Sequence, residues 1–332
     1  MTSDVSEPGT IRIGARRSPL AVAQAEWVAG QLQLRGVPTE VVGITTQGDV
    51  DRRELTQIGG TGVFASAVRD ALHADTIDLA VHSGKDLPTA PVPGLEVVAH
   101  PEREDPRDVL IGLRLADLDG ARVGTGSPRR ASQLQAWARA RGIEITVQPI
   151  RGNVDRRISL VRSGEVDATL LAAAGLRRLG RLSGTGQELQ VIDAAGVPQC
   201  PAELLDPEVM LPAAAQGALA VEAVAGSPAA ELAAVLDHQP TRTRVIAERS
   251  LLARLEAGCT APVGALAELD RGRDIASDLT MAAVIGRTYP STFDETAAEG
   301  SLIRVAGSGS ADEAAALGAR LAEDLLARLD RT

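Results

Sequence analysis

The chain reads as an α/β protein: two similar lobes around a cleft, followed by a small α+β C-terminal domain. Three observations predict this. A strand-to-helix motif occurs twice, the segments after each copy recur in the same order, and beyond residue 238 the pattern changes to helix first.

The first copy is "RIGARRSPLAVAQAEWVAGQLQLRGV" and the second "RVGTGSPRRASQLQAWARARGI"; each is a short apolar strand, a glycine, then a helix opened by Ser-Pro. Ser18 and Ser127 are placed to cap these helices, and Pro19 and Pro128 sit where a missing N–H costs nothing. Gly36 and Gly142 suit the left-handed residue that ends them. A β-rich run follows in each copy, "TEVVGITT" and "IEITVQPI", leading to "QGDVDRR" and "RGNVDRR". The third strands lie in "IDLAVHSGKDL" and "VDATLLAAAGL", so each lobe reads strand, helix, strand, helix, strand on a largely parallel sheet. Residues 1–102 with 218–236 are expected to form lobe one and residues 103–217 lobe two.

The last domain, 238–332, opens with the helix "TRTRVIAERSLLARLEAG", ended by Gly258, which leaves Cys259 on a turn. Three β-rich runs follow, "APVGALAEL", "DLTMAAVIG" and "SLIRVAG". The final helix begins at a capping box, Ser310 to Glu313, and lines up Leu317, Leu321 and Leu325 on one face.

Composition removes several function classes. With 2% aromatics and a net charge of −10 in 332 residues, the surface offers neither stacking platforms nor a general polyanion field, so no nucleic-acid partner is expected. No apolar run reaches the roughly 18 residues of a spanning helix. "MTSDVSEPGT" has neither a basic start nor an apolar core, so a cytoplasmic protein without membrane contact is expected, and a monomer. Two cysteines and four histidines fit no ligand spacing, so no metal is expected. Cys200, in "GVPQCPAELLDP", reads as an inert thiol in a Pro-rich connection, and on residues alone Cys259 reads as inert too.

Ligands of such sheets bind beyond the carboxyl ends of the strands. There lobe one presents Arg16, Asp49, Lys85 and Asp86, and lobe two presents Arg129, Arg130, Arg151, Arg156, Arg157, Arg177 and Arg178. "SPRR", "IRGNVDRR" and "AAGLRRLG" place arginines at three loop-to-helix junctions, where helix N-termini would reinforce them for a ligand bearing several carboxylates or phosphates. Lys85 is the only lysine of the chain, and the repeat sets Lys85 and Asp86 opposite Ala174 and Gly175, so the pair is not needed to build a lobe. "GGTGVF" lacks the lysine of a nucleotide-phosphate loop, so ATP is not expected.

"RIGARRSPLA", "HSGKDLPT", "EREDPRDVLIG", "GTGSPRR", "IRGNVDRR", "AAGLRRLG", "LDPEVMLPAAAQGALAVE" and "LEAGCTAPVGA" occur in the order found in the hydroxymethylbilane synthase (porphobilinogen deaminase) family, which the chain resembles along essentially its whole length. The resemblance implies two periplasmic-binding-protein-like lobes plus the α+β domain, and a transferase of tetrapyrrole synthesis that condenses four porphobilinogen units onto a dipyrromethane cofactor. It implies that Cys259 holds the cofactor as a thioether, that Asp86 and Lys85 are catalytic, and that Lys85, Asp86, Ser127, Arg129, Arg130, Arg151 and Arg157 contact the cofactor. Arg16, Ser18, Arg151, Arg157, Arg178 and Gln216 would bind substrate, with Asp49 a neighbour. The sequence departs from the family's usual residues at Gln47, Thr61, Gly84, Pro128, Ala215 and Ala257, and a stretch around Leu182 to Pro201 lengthens the second lobe. A different class, a two-lobed small-carboxylate binding protein without catalysis, would also use the repeat and the arginines. It would bind reversibly and release no ammonia.

Overall fold

Alternating apolar residues set the first strand, β1 (Ile11–Arg16), which buries Ile11, Ile13 and Ala15. The computed structural model describes residues 9–45, 63–257, 261–269, 278–286 and 302–330. They divide into two compact units, residues 1–102 with 219–242, and residues 103–218 with 243–332.

In unit one, β1 leads into α1 (Pro19–Gln33), β2 (Thr39–Ile44), α2 (Val63–His73), β3 (Leu79–Ser83) and β4 (Leu95–Ala99). Ser18 caps α1 with its side chain, and Gly36 takes the left-handed conformation after it (φ 79°). The strand order is β2-β1-β3-β12-β4, where β12 (Leu219–Val224) arrives from beyond the second lobe and runs antiparallel to both neighbours.

Unit two repeats the plan. Its elements are β5 (Asp108–Ile111), β6 (Ala121–Gly124), α3 (Pro128–Arg139), β7 (Ile145–Gln148), α4 (Val154–Arg162), β8 (Ala168–Ala172), α5 (Ala173–Arg178), β9 (Leu182–Ser183), β10 (Gln190–Ile192) and β11 (Pro198–Leu204). The order β7-β6-β8-β5-β11 matches that of unit one, with β5 in the antiparallel place of β12. The duplication extends to an ion pair: Arg12 bonds Asp78 with its backbone N–H (2.7 Å) and guanidinium, and Arg122 does the same to Asp167 (2.8 Å).

Both sheets are therefore mixed rather than largely parallel. The repeat in the sequence covered three strands of each lobe, and those three are parallel. The others enter from connecting segments that approach from the opposite end of the sheet. The stretch from Leu182 to Pro201 is one such case: it forms β9, β10 and the start of β11, an antiparallel extension of the second sheet. Cys200 lies on β11 as a buried strand residue rather than in a connection.

The rest of unit two is a three-stranded antiparallel sheet, β13 (Val263–Leu269), β14 (Asp278–Gly286) and β15 (Leu302–Ser310), covered by α7 (Gln239–Arg254) and α8 (Ala314–Leu329). The eighth strand of unit one's chain order, β12, is followed there by a short helix, α6 (Pro228–Ala234). Leu317, Leu321 and Leu325 of α8 are buried together as their spacing predicts. At Gly318 a Cβ would fall 2.0 Å from Ala247 O, so the backbones of α7 and α8 touch and only glycine fits. Two terminus expectations change. Ser310 bonds Asp312 N–H and opens a 3-10 turn ahead of α8, so the full capping box does not form. Helix α7 stops at Arg254, and Glu256 (φ 51°) takes the left-handed position assigned to Gly258, which lies outside the described residues.

A buried ion pair fastens this sheet to the rest of unit two. Arg103 meets Glu248 through two bonds of 2.7 and 3.0 Å, and the carboxylate also accepts from Ala215 N–H (2.6 Å) and Ala267 N–H (2.9 Å). Ala215 is held there at φ 58°, which explains why relatives in the resembled family favour glycine at this position. Ala215→Gly should change stability by less than about 1 kcal/mol, because relief of left-handed strain offsets the lost methyl. Ala267→Gly, equally buried but in an ordinary strand, should cost more than about 1 kcal/mol. Urea unfolding of both variants checks the difference.

Candidate active site

The turn that carries the lone lysine follows directly from β3. Leu79, Ala80 and Val81 are buried and paired on both sides, so the strand end is fixed, and the 3-10 turn Gly84–Asp86 delivers Lys85 half-buried and Asp86 exposed. Register confirms the counterpart in the other lobe. Leu79 pairs with Ile13 as Ala168 pairs with Val123, which sets Lys85 and Asp86 against Ala174 and Gly175 of α5. Just before the turn, His82 Nε2 lies 3.2 Å from Glu222 on β12, and Arg69 of α2 forks onto the same carboxylate at 2.8 to 3.1 Å. Burial alone would raise the Glu222 pKa, but the bonds from His82 and Arg69 outweigh it and hold the group down at about 2. In the same unit Arg16 ends β1, half-buried, and Ser18 accepts from Ala21 N–H at 3.4 Å.

Unit two gathers its cations around one carboxylate. Asp108 opens β5 and is fully buried. Arg129 Nη1 donates to its Oδ2 (2.7 Å), Arg130 Nη2 and Nε to its Oδ1 (2.8 and 3.2 Å), and Gln216 Nε2 to its Oδ1 (2.9 Å). Both guanidiniums also reach backbone carbonyls, Arg129 at Leu211 (2.6 Å) and Arg130 at Leu170 (2.9 Å). Burial would push the Asp108 pKa up, yet the two adjacent arginines keep it well below the carboxylate range. Burial in turn lowers the Arg129 pKa.

Two more arginines complete the patch. Arg157 Nε donates to Gly152 O (2.9 Å), and burial together with the charge of Arg130 pulls its pKa down to about 10. Arg178 Nη2 donates to Gly217 O (2.7 Å), and burial lowers it to about 10, with Glu104 opposing. These are guanidiniums short of countercharge, the electrostatic state that an added carboxylate relieves.

Arg129, Arg130 and Gln216 thus share Asp108, with Arg157 under the influence of Arg130, while Arg151 is exposed on the loop before α4. Ser127 holds the N-cap position of α3 without a side-chain cap bond, unlike Ser18, because the backbone there bonds Thr125 Oγ1 instead (3.2 Å). Arg156 turns outward to Glu165 (3.8 Å). Arg177 and Arg178 occupy the last turn of α5, so no helix N-terminus reinforces them; Arg177 pairs with Glu104 (2.8 Å) and Asp105 (3.3 Å). Asp49, Gln47, Thr61 and Cys259 lie outside the described residues. Sequence reasoning missed Asp108, although its place at the head of the apolar run "DVLI" was a signal: a charge there is buried and needs a partner.

A duplicated α/β lobe whose second copy is rich in buried guanidinium defines a protein that handles polycarboxylate ligands at its strand ends. A family model described as porphobilinogen deaminase, dipyromethane cofactor binding domain, matches residues 11–231, and one described as porphobilinogen deaminase, C-terminal domain, matches residues 242–327. The chain belongs to the porphobilinogen deaminase family. It is 50% identical over 324 residues to porphobilinogen deaminase 1 of Streptomyces coelicolor, covering 96% of this chain and 95% of that one. It is 51% identical over 265 residues to the porphobilinogen deaminase of Thermobifida fusca, covering 77% and 76%. A periplasmic substrate-binding protein from Coxiella burnetii is similar at 13% identity and a TM-score of 0.36, over 70% of this chain and 93% of that one. That score is too low to carry the fold, which rests on the sheets described above.

Asp108→Asn leaves two buried guanidiniums without a countercharge and should cost about 3–5 kcal/mol. Because the folded pKa lies below the unfolded value of 3.8, the carboxylate's contribution is complete above that pH and is lost only as pH falls through the folded value. The deficit of the variant, read by urea unfolding, should therefore be constant from about pH 6 to 8 and shrink in acid.

Proposed function

We propose that this chain is a hydroxymethylbilane synthase. It condenses four porphobilinogen molecules head to tail, with loss of ammonia, onto a dipyrromethane joined to Cys259, and releases the linear tetrapyrrole. The observation that carries the reading is Asp86: an exposed carboxylate beside the only lysine, delivered by a buried strand, where the other lobe has no ionisable group, in a chain of the porphobilinogen deaminase family.

The residues fit a pyrrole group. Each ring bears two carboxylates; Arg157 and Arg178 are cations short of countercharge, and Arg129 with Arg130 set two guanidiniums against one carboxylate. Arg129, Arg130, Ser127 and Lys85 would hold the dipyrromethane. Arg16, Ser18, Arg151, Arg157, Arg178 and Gln216 would serve incoming rings, Gln216 by way of Asp108. When bound, the dipyrromethane supplies the free ring carbon at which the chain is extended. A thiolate at Cys259 suits its attachment, since polarizable sulfur captures a methylene carbon as a stable thioether.

Asp86 acts on the incoming porphobilinogen. As the aminomethyl C–N bond breaks, ammonia departs and positive charge spreads over the ring and its N–H; the carboxylate offsets that charge and passes protons to the departing amine. When the new carbon–carbon bond forms, the ring hydrogen at that carbon leaves as a proton, for which Asp86 is the nearby base. Charge develops on carbon and nitrogen, so no oxyanion hole is needed. Lys85 keeps Asp86 ionised and, as a compact ammonium, reaches a carboxylate where a planar guanidinium would crowd the turn.

The reading includes three domains, 1–102 with 218–236, 103–217 and 238–332, acting as a cytoplasmic monomer on a small-molecule substrate. The net charge of −10 argues against nucleic acid, and no helix among the described residues is long and apolar enough to cross a membrane. Asp86→Asn should keep the wild-type unfolding midpoint, since the side chain is exposed, yet lose turnover by about two orders of magnitude or more. Ammonia release from porphobilinogen is the readout, and a near-normal rate would remove Asp86 from the chemistry.

A further inference from the structure

In unit two the arginine patch and the three-stranded sheet are joined through one peptide, Leu211–Pro212, and one side chain grips it. Gln133, on the second turn of α3, is only 1% exposed. Its Nε2 donates to Leu211 O (3.0 Å) and its Oε1 accepts from Leu211 N–H (2.8 Å), so the amide pairs with both backbone groups of a single residue. Leu211 O also accepts from Arg129 Nη1 (2.6 Å), the nitrogen that bonds Asp108. One residue on, Pro212 O accepts from Ala265 N–H of β13 (2.9 Å). Leu211 packs against Leu266 and Val284, and a Cβ at Gly264 would lie 2.9 Å from Leu211 O, so β13 sits directly on this peptide. From β15, Arg304 Nη2 reaches Gln133 Oε1 at 3.4 Å.

A buried amide is costly unless its donor and acceptor are both used, and an apolar residue of the same length would fill this space without that demand. Asp108 already satisfies the charge of Arg129, so Gln133 is not required to bury the guanidinium. What Gln133 adds is a fixed path from Arg129 to β13, whose first residue, Val263, follows Cys259 by four positions.

We propose that Gln133 is a positioning residue: by holding the Leu211–Pro212 peptide it sets β13, and with it the attachment point at Cys259, relative to the guanidinium of Arg129. The proposal rests on the reading of Cys259 as the thioether site. Placement errors of about an ångström are felt in the reacting step more than in binding, with losses on the order of 100-fold.

The test compares wild type with Gln133→Met, which keeps length and loses every bond, and Gln133→Glu, which keeps the acceptor for Leu211 N–H and loses the donor to Leu211 O. All three are purified as holoprotein from porphobilinogen-producing cells. Both variants should carry the same added mass as wild type, keep the KM for porphobilinogen, and lose kcat by roughly 10- to 100-fold. Intact mass after a short exposure to porphobilinogen should show partly elongated species accumulating. If kcat per folded molecule and the distribution of elongated species equal those of wild type, the proposal is overturned, whatever the variants' melting temperatures. If Gln133→Met does not fold, Gln133→Glu carries the same test. Wild-type protein without the added mass would instead overturn the reading of Cys259, a separate failure.

Discussion

One buried carboxylate organises the charge of the second unit. Asp108 sits at the head of an apolar strand and draws two guanidiniums and an amide out of water. Removing any one partner would leave an unpaired buried charge, so the group stands or falls as a whole. The first lobe shows what the same fold does without it. Ser18-Pro19 matches Ser127-Pro128, which sets Leu20 and Ala21 against Arg129 and Arg130; Leu219, paired with Ser83 as Asp108 is paired with Ala172, takes the place of the carboxylate. Three apolar residues in one copy have become an ionic cluster in the other.

That exchange divides the work between two copies of one architecture. The first carries a carboxylate and an ammonium on an exposed turn, suited to proton transfer. The second carries guanidiniums held by a fixed anion, with Arg157 and Arg178 depressed by burial and ready to gain a countercharge. An acidic protein can bind a polyanionic product in this way because the relevant field is local and buried, where water screens it least.

The repeat, the strand and helix order and the α+β ending were legible because each depends on local signals: Ser-Pro at helix starts, alternating apolar residues, leucines spaced by four. The antiparallel strands β5 and β12 were not, because their pairing is decided by where the chain crosses between lobes, which no local pattern encodes. Lys85 and Asp86 stood out as a break in the repeat. The arginine motifs were legible as charge, but their split into buried Arg129 and Arg130, outward Arg156 and carboxylate-paired Arg177 depends on contacts with Asp108, Glu165 and Glu104 that lie far away in sequence. The positive φ of Ala215 was invisible for the same reason, since Glu248 and Arg103 impose it from outside the segment.

The central claim is that this arrangement serves a polycarboxylate group anchored at Cys259. Intact mass of the protein purified from a porphobilinogen-producing host, beside Cys259→Ser, tests it most directly. The account predicts an added mass equal to a dipyrromethane in the wild type and none in the variant. A folded, active wild-type protein without added mass, or a variant that still carries it, would contradict the account.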